Sequence, residues 1–260
     1  MSAVAVVNVR MGSQRLPGKA LREVCGKPLL GLLLARLHRA RSLEQVIVAT
    51  SRLAVNDAIA ELCAELGVSC VRGPEEDVLA RTLGALRSVD AATGVIVFGD
   101  GPLIDPLIVD RVVETYLQTA PRHDFVGNDL ATTYPPGMEV EAFSVAALAD
   151  ADRRCSDSSI REHSSLYLRR NPQRYRLLNL EAPAEVRRPE LELEVDTEID
   201  LEVITEILRH FGERLDFTLR EIIEFLDAHP EVARRNRGVH RRWRSERVDG
   251  PSQTKAETGP

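Results

Sequence analysis

The chain has 260 residues, 43% of them apolar and 4% aromatic, with 34 lysines and arginines against 40 acids for a net charge of −6. That length suits one large α/β domain with an appendage. The acidic balance speaks against nonspecific nucleic-acid binding, which needs a basic face to displace counterions, so phosphate contacts should be local and no nucleic-acid partner is expected.

Short Val-rich runs alternate with longer segments of helical period, the pattern of βαβ units that lay down a mostly parallel sheet. Val4 to Val9 is the first strand. It opens too close to Arg10 to hold a secretory signal or a membrane span, which predicts a soluble, cytoplasmic protein. Directly after it comes Arg10-Met-Gly-Ser-Gln-Arg-Leu-Pro-Gly-Lys19. Its glycines let backbone N–H groups approach an anion, and Arg10, Arg15 and Lys19 neutralise oxyanions, so the loop reads as a polyphosphate cradle. It is not a P-loop: the glycine spacing is too long, and Ala20 offers no hydroxyl to magnesium. A metal would have to be held by carboxylates elsewhere.

Pro28 opens a helix through Arg41, Val46 to Thr50 is the second strand, and Ala54 to Leu66 is a helix ended by Gly67. Ser69 to Val71 reads as a strand, Asp77 to Val89 as a helix, and Val95 to Phe98 as a strongly buried strand. Asp100 follows that strand, where open parallel sheets gather their ligands, and is the first magnesium candidate. Asp105 and Pro106 cap a helix to about Gln118, and Asp124 to Gly127 begins the next strand.

From Tyr134 to Asn179 the pattern is less regular and reads as an inserted lobe, with Glu139 and Glu141 alternating on a strand and Arg161, Arg169 and Arg170 on helical stretches. Leu191 to Val195 returns to a strand, Asp196 ends it as the second metal candidate, and Glu198 to Phe211 is a helix in which Asp200 is structural. After Phe217 come a short amphipathic helix, a break at Pro230 and an arginine cluster, Arg234, Arg235, Arg237, Arg241, Arg242, Arg244 and Arg247. With Trp243 as its one aromatic, the cluster predicts a solvated or subunit-packing tail. Residues 248–260 read as disordered. Cys25, Cys63, Cys70 and Cys155 show neither CxxC nor zinc-ligand spacing and read as reduced thiols.

The sequence resembles the cytidylyltransferases that activate acidic sugars (acylneuraminate and 3-deoxy-manno-octulosonate), especially the branch described as spore-coat polysaccharide biosynthesis protein F. The matching segments span most of the first 210 residues: the loop from Arg10 to Lys19, Gly26-Lys-Pro-Leu-Leu30, Arg72-Gly73 with Glu76-Asp-Val-Leu79, Gly99-Asp-Gly-Pro-Leu-Ile-Asp-Pro106, Gly137-Met-Glu-Val-Glu-Ala-Phe143, Arg161-Glu-His163 and Val195-Asp-Thr197. Gly101 and Ser164-Ser165 depart from that branch, which usually has Cys and Val-Thr there.

The resemblance implies a Rossmann-like nucleotide-diphospho-sugar transferase fold with a mostly parallel mixed sheet. Its nucleotidyltransferase domain would be 1–217, with a dimerisation lobe at about 132–182, a helical basic extension at 218–247 and a tail at 248–260. It further implies a homodimer that transfers CMP from CTP to a small anionic acceptor with Mg2+ as cofactor. Arg10, Met11, Gly12, Ser13, Arg15 and Lys19 would bind the nucleotide, with Arg72 and Asp77 bordering its pocket; Lys19, Arg10 and Asp100 would be catalytic. Asp100 and Asp196 would hold the metal, and Glu139, Glu141, Arg161, Arg169 and Arg170 would meet the acceptor. The competing readings are a nucleotidyltransferase for a phosphonate or sugar 1-phosphate, and a nucleotide-binding subunit without turnover.

Overall fold

A computed structural model describes residues 3–241 except Gln14 and Pro121. The expected tail at 248–260 and the arginines at 242, 244 and 247 lie outside the described residues.

The elements run in chain order as β1 (Ala3–Asn8), a two-strand hairpin of β2 (Glu23–Val24) and β3 (Lys27–Pro28), α1 (Leu29–Leu37), β4 (Leu43–Ser51), α2 (Asp57–Glu65), β5 (Ser69–Gly73), α3 (Val78–Arg87) and β6 (Thr93–Phe98). Then come α4 (Pro106–Thr119), β7 (Phe125–Gly127), β8 (Val140–Ser144), α5 (Val145–Arg154), α6 (Ser158–Arg161), α7 (Leu166–Arg170) and β9 (Leu177–Asn179). Three helices come last among the described residues: α8 (Glu198–Phe211), α9 (Leu219–Ala228) and α10 (Pro230–Arg234).

One seven-stranded sheet has the order β5-β4-β1-β6-β8-β7-β9. The strands β5, β4, β1 and β6 pair in parallel, β8 lies antiparallel between β6 and β7, and β9 is parallel to β7. The fold is thus α/β and Rossmann-like, with a mixed sheet that is mostly parallel. Strand geometry sends successive side chains to opposite faces. Accordingly Ala3, Ala5 and Val7 of β1 join one apolar layer with α1, α4, α8 and α9, while Val4 and Val6 join the other with α3, α5 and α7.

Local signals fix the helix starts. Asp77, Asp105 and Thr197 cap α3, α4 and α8 with side-chain oxygens, and Thr197 and Asp200 form a reciprocal capping box. Helix α1 is shorter than the expected run to Arg41: it ends at Leu37, and turns at His38 to Ala40 lead the chain into β4. The stretch from 132 to 182 lays β8 and β9 into the main sheet, so its strands continue the first domain's own layer. The expected strand Leu191 to Val195 is instead an extended buried segment that joins no ladder. Its amides donate singly, Leu193 to the Pro136 carbonyl at 2.9 Å and Val195 to the Asp100 carbonyl at 2.8 Å.

Gly137 faces that segment. Its φ is +99°, and a Cβ there would lie 2.6 to 2.8 Å from backbone atoms of Leu193 and Glu194. Gly137→Ala is therefore expected to cost about 2–3 kcal/mol in urea unfolding, because neither contact is a flexible side chain that can swing away.

The C-terminal helices are part of the same core. Phe217, Leu219, Ile222 and Leu226 are buried in the layer that holds α1 and α4. The break expected at Pro230 falls between α9 and α10, with the proline opening the second of the two helices. Arg36, fully buried on α1, donates to the carbonyls of Ile104, Leu215 and Phe217 at 2.8, 2.9 and 2.9 Å and stacks on the Phe217 ring. Burial draws its pKa down to about 10, partly offset by Asp105, so it stays charged at neutral pH.

Candidate active site

The carboxyl ends of β1 and β6 open into two adjoining cavities of about 370 and 350 Å³ that share Asn8, Val9, Arg10, Phe98 and Asp100. Ligands of open α/β sheets collect at this edge because the strands end there and the loops splay apart.

The second cavity is lined by Arg10, Gly12, Ser13, Arg15, Lys19, Asp100 and Asp196. Three separate chain segments meet here. Lys19 Nζ lies 3.1 Å from Asp196 Oδ1 and 3.6 Å from Asp100 Oδ2, and it donates to the Val195 carbonyl at 2.8 Å. Arg15 Nη2 donates to Asp196 Oδ2 at 2.5 Å, and Arg10 pairs with Glu75 at 3.2 Å. Met11 stands behind the loop, its amide donating to Asn56 Oδ1 at 2.8 Å. Ser13 Oγ accepts from the Leu16 amide at 3.4 Å.

Burial alone would lower the Lys19 pKa, yet Asp100, Asp196 and the hydrogen bond to Asp196 raise it above 10.5. The folded value lies above the unfolded one, so Lys19 is fully charged, and its stabilisation fully present, below 10.5.

The first cavity holds Glu139, Glu141 and Arg169 of the expected acceptor set, together with Arg81, Asp129, His163 and Ser164. Arg169 donates to Asp129 at 2.7 Å and to Glu141 at 3.0 Å. Glu139 accepts from the Gly137 amide at 2.7 Å. Arg161 and Arg170 depart from the acceptor expectation. Arg161 turns away from the cavity to bind Asp77 and Asp152 at 2.7 and 2.6 Å, and Arg170 is exposed outside the cavity lining.

Arg72 and Asp77 likewise stand outside both linings. Arg72 is taken up by the Ser51 and Leu53 carbonyls and by Asp57, while Asp77 caps α3. Their place on the border is filled by Val78 and Arg81 of α3.

Several contributors had no strong sequence signal. Asn8 ends the apolar run of β1 with an amide that donates to Thr82 at 2.9 Å and to Ser164 at 3.2 Å and accepts from Arg81 at 3.2 Å. A polar residue closing a buried strand was the available clue. Arg81 is 3% exposed and bonded to the carbonyls of Pro74 and Glu75.

Arg241 is the larger correction: the arginine expected in a solvated or subunit-packing tail is buried under the site. It contacts Glu192, Glu194 and Asp200 at 3.0, 3.1 and 2.6 Å. Burial would raise the Asp200 pKa, but Arg241, with Thr197 and Asn236, holds it below 3.8. A depressed carboxylate contributes stability above its unfolded value and loses it as pH falls through the folded one. The difference in thermal midpoint between the parent and Asp200→Asn should therefore be constant above about pH 5 and narrow below 3.8.

A loop of cations thus faces two aspartates from distant segments at the carboxyl edge of the sheet. The cytidylyltransferase family profile matches residues 4–222. The chain belongs to the cytidylyltransferase family. It is 30% identical over 233 residues to the spore coat polysaccharide biosynthesis protein SpsF of Bacillus subtilis, covering 88% of this chain and 95% of that one. It is 34% identical over 117 residues to a 3-deoxy-manno-octulosonate cytidylyltransferase of Trichlorobacter lovleyi, covering 45% of this chain and 46% of the relative. A solved cytidylyltransferase of Leptospira borgpetersenii superposes with a TM-score of 0.86 at 29% identity, over 93% of this chain and 100% of that one. Among the described residues of this cytidylyltransferase no helix is long and apolar enough to cross a membrane.

Proposed function

We propose that this cytidylyltransferase moves CMP from CTP to an acidic sugar with release of pyrophosphate, and that Asp100 and Asp196 hold a divalent ion in the site. The observation that carries this is the meeting of Lys19 with both carboxylates, at 3.6 and 3.1 Å, on the cavity that Arg10, Ser13 and Arg15 also line. The SpsF relative is named for polysaccharide biosynthesis and the Trichlorobacter relative for 3-deoxy-manno-octulosonate, which accords with an acidic sugar as acceptor.

The donor set fits a hard cation. Both groups are carboxylates, and among the described residues no cluster of three or more His, Cys, Asp or Glu forms an all-protein cage. That is the pattern for magnesium, which takes one or two carboxylates and completes its shell with phosphate oxygens and water. When bound, such an ion supplies charge neutralisation on the phosphates and lowers the pKa of the attacking group.

The chain's own residues do the rest. Arg10, Arg15 and the loop amides hold the triphosphate, and Lys19 neutralises charge as it builds on the departing pyrophosphate. The acceptor occupies the cavity beside Glu139, Glu141 and Arg169. From there its oxygen attacks the α-phosphorus opposite the bond to pyrophosphate. One P–O bond forms, one breaks, and the acceptor proton passes to solvent. Catalysis is then mainly positioning, with no side-chain nucleophile.

The test is pyrophosphate release from each nucleoside triphosphate with magnesium and a panel of acidic sugars, phosphonates and sugar 1-phosphates. Turnover with CTP and an acidic sugar is expected; turnover with a phosphonate alone defeats the acceptor assignment. Asp100→Asn is expected to lower kcat about 100-fold, and full activity in that variant removes Asp100 from the site.

A further inference from the structure

The segment from Asn236 to Arg241 reaches back to the corner that holds Asp196. Arg241 is 1% exposed, and its guanidinium spans four acids. Nη2 and Nη1 hold the two oxygens of Asp200 at 2.6 and 3.0 Å, Nε reaches Glu192 at 3.0 Å and Glu194 at 3.1 Å, and Nη1 lies 3.6 Å from Asp196 Oδ2. Asp200 in turn accepts the backbone N–H of Asp196 at 3.0 Å and of Thr197 at 2.8 Å. Asn236 adds bonds to Asp200 Oδ1 at 2.9 Å and to the Glu192 carbonyl at 3.1 Å. From the opposite side Arg15 bridges Asp196 and the His240 carbonyl, each at 2.5 Å.

We propose that Arg241 is a positioning residue for Asp196: acting through Asp200, it fixes the carboxylate that faces the divalent ion, so that the chain from 236 to 241 is a working part of the metal site. The proposal rests on the metal reading given above. Its physical basis is charge and shape. Four carboxylates gathered at one buried corner repel one another, and a planar fork with several N–H donors satisfies them together while fixing their directions. Lysine, a compact point charge on a flexible stem, cannot make the two-pronged contact with Asp200 and reach Glu192 as well. Groups that hold a metal ligand in place typically govern metal affinity about 10- to 100-fold.

The test is Mn2+ binding to the full chain without nucleotide, whose phosphates would themselves take up the ion, read by the electron paramagnetic resonance of the free ion. Asp100→Asn should abolish binding; if it does not, the metal reading fails and the proposal with it. Arg241→Lys should fold, bind CTP in the absence of metal as the parent does, and hold Mn2+ about tenfold or more weakly. Unchanged Mn2+ affinity in Arg241→Lys overturns the proposal even if the variant melts earlier, since a purely structural arginine moves only the melting point. Should Arg241→Lys fail to fold, Asp200→Asn gives the same reading: about tenfold weaker Mn2+ supports the role, and parental affinity overturns it.

Discussion

Lys19→Met is expected to lower kcat with CTP about 1000-fold while the protein stays folded. The Nζ atom sits between Asp100 and Asp196 and donates to the Val195 carbonyl, so it faces both the proposed metal ligands and the cavity that would take the triphosphate. Removing one preorganised donor from a charge-stabilising site typically costs about 100- to 1000-fold. A full positive charge in a largely enclosed position belongs at the upper end. Met preserves the unbranched stem, so the loss isolates the charge. Pyrophosphate release and circular dichroism would check both halves; a variant keeping more than about a tenth of parental kcat would take Lys19 out of the triphosphate site.

Arg241→Met is expected to destabilise the protein by about 3–5 kcal/mol in urea unfolding. Glu192, Glu194 and Asp200 are each no more than 5% exposed, and all three lose this guanidinium at once. Removing one partner of a buried ion cluster costs more than the cluster contributes, because the remaining charges stay desolvated. Neutralising Asp200 in the same chain should relieve part of the penalty, so Arg241→Met combined with Asp200→Asn should cost less than the two changes added. A loss under about 1 kcal/mol would mean that water takes the place of the guanidinium.

Most of the framework can be read from local patterns because local forces set it. The alternation in β1, the Asp105 cap and the helix Glu198–Phe211 follow from side-chain period and capping chemistry within a few residues. The loop after β1 and Asp100 after β6 meet because strand ends gather ligands, whereas Asp196 joins them from a segment that belongs to no ladder.

What stayed hidden depends on partners far along the chain. Leu191, Leu193 and Val195 alternate with Glu192 and Glu194, a pattern that reads as a strand with one wet face. Both faces are in fact covered, the acidic one by Arg241, which is 49 residues away from Glu192. Nothing in a run of arginines marks the member that will be buried. Arg161, Arg169 and Arg170 pose the same problem: three similar cations within ten residues end respectively on Asp77 with Asp152, inside the first cavity, and in solvent.

The return of the chain's last described stretch to the floor of the site sets an order during synthesis. β1 and its loop leave the ribosome first, yet the guanidinium that settles the Asp196 corner is among the final described residues to emerge. A nascent chain can lay down its central strands early, but the corner closes only once residue 241 has been translated. Chains that stop before residue 241 should therefore hold a formed sheet and a slack corner around Asp196.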